Sequence, residues 1–210
     1  MVKNKNLLIA GNWKMNGLKK NLSMISLLTK YLKKKKFKNS EILICPPNTL
    51  IDLFSNKTKQ SNLMIGAQDC SDKESGAYTG EVSPSMLRDI GAQSVILGHS
   101  ERRQYQEESN KLICSKAENA LNNNLLTIVC VGESLNQKKG GKTLRVIGEQ
   151  LKKSLPEKIK SNNLVVAYEP IWAIGSGLVP GNDDIYKVHS FISDKLKSRY
   201  GGKAKKIKIL

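Results

Sequence analysis

A glutamate stands where a buried strand should end. In "VVAYEPIWAIGSG" an apolar run leads into Tyr168 and Glu169, Pro170 stops it, and Ile171, Trp172, Ala173 and Ile174 follow before Gly175, Ser176 and Gly177. A loop is expected to be polar, and this one is not. If the apolar segment closes over Glu169, the carboxylate loses water, its pKa rises, and it becomes a stronger base towards a carbon acid. Pro170 stiffens one end of such a flap, while Gly175 and Gly177 permit φ/ψ change at the other. A solvent-facing glutamate would leave the apolar loop unexplained.

Two further motifs carry complementary chemistry. In "ILGHSERRQYQEES" His99 follows an apolar run and a glycine, and Ser100–Glu101 can cap a following helix. The positive end of that helix lowers the pKa of the imidazole and keeps it neutral. A neutral imidazole can donate to a carbonyl and pass a proton between neighbouring oxygens. The bland alternative is a satisfied core histidine. Arg102 and Arg103 read as helix-surface or ion-pair residues. In "GNWKMN" Asn12 and Lys14 lie two apart, so strand alternation sends both to one face. Lys14 there is a point charge suited to a phosphate or an oxyanion, or simply a lysine facing water.

The elements that must position these groups are legible as seven apolar runs: 7–11, 41–47, 63–69, 94–100, 125–133, 164–170 and 207–210. Each is β-branched or nearly continuous, the pattern of a strand buried on both faces. Between them run helical stripes, namely Leu22, Ile25, Leu28 and Leu32, then Leu112, Ala117, Ala120 and Leu121, then Val146, Ile147, Gln150 and Leu151. Strand–helix repetition implies right-handed βαβ units around a parallel sheet. A doubly wound sheet would require a G-x-G-x-x-G after the first strand, and "IAGNWKMNG" lacks it. A closed barrel gathers polar residues at the C-terminal ends of several strands. Asn12 and Lys14, Gln68 and Asp69, His99 to Glu101, Gly132 and Glu133, and Glu169 all fall there. The expected fold class is therefore α/β, a single-domain (β/α)8 barrel over 1–210. It is incomplete, ending at about strand 7, with strand 8 and the last helices missing.

Composition narrows the function. The chain has 210 residues, 39% of them hydrophobic, enough for one sizeable core. No apolar run reaches the roughly 18 residues of a membrane span, and the N-terminus lacks a signal-peptide cleavage pattern. The four cysteines form no C-x-x-C pair and read as reduced cytosolic thiols. A formal charge of +17 invites a nucleic-acid reading. Yet the lysines cluster at "KYLKKKKFK" (30–38) and "GGKAKKIK" (201–208) with no interleaved aromatic platforms, so no nucleic acid and no membrane partner is expected. The same positive field can draw in a small anion. "GGKT" (140–143) lacks the first glycine of a Walker loop, Asn136 standing in its place. His189 has no partner at metal-ligand spacing. "RYGG" (199–202) reads as the loop entering the seventh strand.

Asn12-x-Lys14, "GHSERR", "CVGE" (130–133) and "AYEPIWAIGSG" together resemble triosephosphate isomerases, in order from residue 7 to the C-terminus. The resemblance implies a TIM barrel and a cytoplasmic enzyme of glycolysis and gluconeogenesis. It would interconvert dihydroxyacetone phosphate and D-glyceraldehyde 3-phosphate without metal or cofactor. By resemblance Glu169 is the base, His99 the electrophile and proton shuttle, and Lys14 the anchor of the anionic substrate. Asn12 lines the site, Gly175 offers its N–H to the phosphate once the lid (about 170–180) closes, and Glu101 and Cys130 support. The segment 70–86 resembles a loop that docks into a twin subunit, with Thr79 reaching towards the partner's active site and the homodimer formed around 71–82. The family's phosphate site also draws on loops after strands seven and eight. Without them the chain alone is expected to be weakly active or inactive and prone to aggregate, with exposed edges at 7–11 and 207–210. The alternative is an inactive truncated relative acting only as a binding or interaction module.

Overall fold

A computed structural model describes residues 7–34, 39–159 and 163–210. Residues 35–38 of the basic run 30–38 lie outside them. The chain divides into two compact units meeting at Ile96 and Leu97.

In the first unit strands β1 (Leu7–Asn12), β2 (Ser40–Cys45), β3 (Leu63–Ala67) and β4 (Ser94–Leu97, whose last residue opens the second unit) alternate with helices α1 (Leu22–Lys34), α2 (Asn48–Thr58) and α3 (Pro84–Asp89). Every pairing is parallel, with Leu7 opposite Ser40, Ile42 opposite Leu63 and Gly66 opposite Ser94. The second unit holds α4 (Ser100–Tyr105), α5 (Asn110–Asn122), β5 (Leu126–Val131), α6 (Leu135–Lys139), α7 (Thr143–Ser154), β6 (Leu164–Tyr168), α8 (Asn182–Tyr200) and β7 (Lys208–Ile209). There β5 pairs with β6 from Thr127↔Leu164 to Val131↔Tyr168, and β6 pairs with β7. β7 is shorter than the run 207–210, but its pairing continues: the Leu210 N–H donates to the Val166 carbonyl and the Leu210 carbonyl accepts from Tyr168.

All four residues of β4 and five of the six in β5 are buried, as continuous apolar runs imply. β1 departs from that pattern. Only Leu8 is buried, and Leu7 and Ile9 are 63% and 56% exposed. β1 pairs with β2 from Leu7 to Asn12, and Leu7 and Ile9 alternate with Leu8, so these exposed apolar side chains lie on one face of the strand. The stripe on α1 holds, with Ile25 and Leu32 buried. That on α5 is rotated: Ile113, Lys116, Ala117 and Ala120 face inward rather than Leu112. Lys116 tolerates this position because its ammonium meets buried Glu108 at 2.5 Å, while Arg102 meets the same carboxylate at 2.8 Å.

Serine caps fix the helix starts. Ser83 accepts the Met86 N–H ahead of Pro84, Ser109 that of Leu112, and Ser134 forms a capping box with Gln137. "GGKT" is the turn from α6 into α7, with Gly141 at φ 65°. "RYGG" ends α8 and begins the 3₁₀ turn leading to β7. No helix among the described residues is long and apolar enough to cross a membrane.

Candidate active site

The polar groups expected at strand C-termini are there. Asn12 closes β1, Gln68 follows β3, His99 lies two residues past β4, Gly132 follows β5, and Glu169 follows β6. Within each unit these residues lie at or just past the C-terminal ends of parallel strands, the end at which barrel enzymes carry their polar groups.

Glu169 and His99 meet within the second unit. The His99 Nε2 stands 3.1 Å from Glu169 Oε2, and the two side chains are 12% and 17% exposed. The other carboxylate oxygen, Oε1, accepts the Ser100 N–H at 2.5 Å. Burial pushes the Glu169 carboxyl up to about 7, against the Ser100 hydrogen bonding and the Arg103 guanidinium, which both pull it down. The rise expected from desolvation is therefore present with the tip of the flap still in solvent.

The imidazole is oriented by its own helix. His99, not Ser100, is the N-cap of α4, and its Nδ1 accepts the Glu101 N–H at 3.3 Å. That amide keeps its proton at every pH, so the nitrogen facing it must be bare and the ring proton belongs on Nε2, towards Glu169. The Glu101 carboxylate lies 3.5 Å from the same Nδ1, but at 41% exposure its pull is screened by water. Glu101 thus supports the ring mainly through its main chain.

Arg103 is neither a surface residue nor half of an ion pair. Its Nε donates to the Gly98 carbonyl at 2.7 Å. Nη1 donates to Asn110 Oδ1 at 2.6 Å, and Nη2 to the Cys130 carbonyl at 3.0 Å and Ser154 Oγ at 3.3 Å. It ties the start of α4 to β5, α5 and α7. Cys130, buried in β5, enters through this carbonyl. Arg102 is an ion-pair residue, as read from sequence.

The flap begins with a 3₁₀ turn, Ile171–Ala173, in which the Ala173 N–H donates to the Pro170 carbonyl. Its Trp172 indole N–H donates to Glu133 Oε1 at 2.9 Å, and the Tyr168 hydroxyl reaches the same oxygen at 3.2 Å. Ile171 to Ile174 are half-buried, whereas Gly175 to Val179 are exposed. Gly175 and Gly177 hold φ 65° and 74°, conformations that suit glycine at the hinge. Ser176 Oγ bridges the Trp172 carbonyl and the Leu178 N–H.

In the first unit the Asn12 side chain accepts the Lys14 N–H at 2.8 Å. β1 ends at Asn12, so the alternation argument does not carry to Lys14. A left-handed turn, φ 54° at Lys14, directs it instead. Gln68 Nε2 secures that turn by donating to the carbonyls of Lys14 and Cys45, both at 2.8 Å. Thr79 is exposed on a loop closed at its base by the Ser71 N–H and the Val82 carbonyl, 2.9 Å apart.

The sequence reading missed the parts played by Ser100, Arg103, Gln68, Gln150 and Glu133. Each acts through a main-chain or long-range contact, for which spacing gives no signal. Gln68 and Glu133 were placed at strand ends from sequence, but their partners were not.

Parallel βα units with a buried glutamate and histidine side by side past two strand ends define an enzyme of the barrel class. Comparison with known proteins narrows this. A family profile described as triosephosphate isomerase matches residues 7–210. Proteins named triosephosphate isomerase from Rhizobium meliloti and Xanthobacter flavus are 45% and 46% identical over 203 residues. These matches take in 97% of this chain and 79% and 80% of those proteins. A crystal structure of triosephosphate isomerase from Bartonella henselae superposes with a TM-score of 0.89 at 36% identity, over 98% of this chain and 81% of that one. The chain belongs to the triosephosphate isomerase family, and its fold is an incomplete TIM barrel with seven strands among the described residues.

Proposed function

We propose that the chain interconverts dihydroxyacetone phosphate and D-glyceraldehyde 3-phosphate, a step of glycolysis and gluconeogenesis carried out in the cytoplasm. The carrying observation is the buried Glu169 carboxyl, raised to about 7 beside a ring nitrogen of His99. Glu169 removes a proton from the carbon next to the carbonyl, and the electron pair moves onto oxygen to give an enediolate. His99, with its proton on Nε2, donates to one substrate oxygen and recovers a proton from the other. Glu169 returns its proton to the neighbouring carbon, so no atom is gained or lost. Side chains supply every proton moved. Lys14, in the turn fixed by Asn12 and Gln68, holds the anionic substrate, and the Gly175 N–H meets the phosphate when the flap closes. Closure excludes water and so protects the intermediate. The loop around 71–82, with Thr79 near its tip, is the proposed homodimer contact.

The test is turnover of glyceraldehyde 3-phosphate by the purified chain and by Glu169→Asp. Shortening the base by one methylene should lower kcat about a hundredfold, since misplacement of the order of 1 Å carries that cost. Equal turnover of the two proteins would sink the proposal.

A further inference from the structure

Lys138 was not among the residues expected to matter, and it sits against the flap. It lies in α6, whose start is fixed by the Ser134 capping box. Its ammonium stands 3.8 Å from the centroid of the Trp172 ring and 2.6 Å from Asp184 Oδ2. Trp172 therefore has its edge held by Glu133 and its face covered by a cation. Asp184 belongs to the first turn of α8, the helix that begins just after the flap. One lysine thus contacts the segment before the mobile tip and the helix after it. As a surface pair alone, with side chains 32% and 51% exposed, Lys138 and Asp184 would contribute little. Coupling to the indole is what distinguishes this pair.

We propose that Lys138, oriented by Asp184, is a positioning residue: it anchors the flap through the Trp172 ring and confines movement to Gly175–Val179. This rests on the proposed function, because it assigns the anchor of the same site's lid. The exposure pattern fits, with residues 171–174 half-buried and Leu178 and Val179 51% and 84% exposed.

The experiment uses the full chain without substrate. In a Trp13→Phe background Trp172 is the sole tryptophan, so its emission reports the ring's surroundings. Lys138→Met should shift that emission to the red and speed amide exchange in 171–174 roughly three- to tenfold, the range a lost cation–π contact implies. Exchange in β5 and β6 should stay as it was. Lys138→Arg keeps the cation over the ring and should restore both signals, and Asp184→Asn should give a smaller change of the same sign. Unaltered emission and exchange in Lys138→Met would overturn the proposal, as would an equal loss of protection throughout the second unit. Equal isomerase turnover by the unsubstituted chain and Glu169→Asp would instead defeat the proposed function and leave this result standing.

Discussion

The carbonyl of Glu169 occupies the space in which a side chain at Gly132 would begin: a Cβ added there would collide with the carbonyl oxygen and carbon. Gly132 cannot yield, because Gln150 grips it on both sides. Its N–H donates to Gln150 Oε1 at 2.8 Å, and its carbonyl accepts from Nε2 at 3.0 Å. The Glu169 N–H is meanwhile bound to the Val131 carbonyl at 2.9 Å. Gly132→Ala should therefore shift the main chain that carries the base. We expect a fall in kcat of about a hundredfold with a stability loss of about 1–3 kcal/mol from overpacking. Steady-state kinetics and urea unfolding on the same preparation separate the two effects.

Activity should follow the ionisation of Glu169. With its carboxyl raised to about 7 by burial, the base is present above that pH and lost below it. The logarithm of kcat/KM for the free enzyme should fall with unit slope as pH drops below about 7. A profile flat to pH 5 would assign the base elsewhere.

The same shift makes an opposite statement about stability. A carboxyl raised from 4.5 to about 7 in the folded protein favours folding most when protonated. Its contribution is complete below about 4.5 and is lost as pH rises through 7. Glu169→Gln imitates the protonated group and can still accept the Ser100 N–H. At pH 8 this variant should be more stable by on the order of 3 kcal/mol, and at pH 4 it should match the parent. Urea denaturation at both values provides the check.

Arg103 should prove structural rather than catalytic. Its four hydrogen-bonded partners lie in the turn before α4 and in α5, β5 and α7. Arg103→Met leaves acceptors unmet and should cost about 1–3 kcal/mol. Arg103→Lys should recover only part, because a single ammonium cannot reproduce the fork. A change below about 1 kcal/mol in Arg103→Met would contradict the bracing role.

Much of this was legible in residue order. Parallel strands buried on both faces give uninterrupted apolar runs, so β4, β5 and β6 announced themselves, and a carboxylate closing one of them was conspicuous. Glu169 and His99 emerged because both follow such runs directly. The orientation of Lys14 did not, since a period-2 argument ends where the strand ends and a left-handed turn takes over. Arg103 looked like a surface residue because its acceptors are carbonyls and small polar groups far along the chain. Lys116 was hidden for a related reason: its inward position depends on Glu108 eight residues earlier, a pairing that helical periodicity alone would forbid. The clamp of Lys138 on Trp172 joins segments more than thirty residues apart and leaves no trace in local pattern.

One imidazole caps the start of a helix and faces a carboxylate, and the two duties share a single tautomer. The first turn of α4 is held at its start by the same ring that meets the Glu169 carboxylate. Ser100, whose amide holds Glu169, is the first residue of that turn. Replacing His99 by alanine should therefore loosen the seating of the carboxylate from the helix side as well as remove the ring beside it.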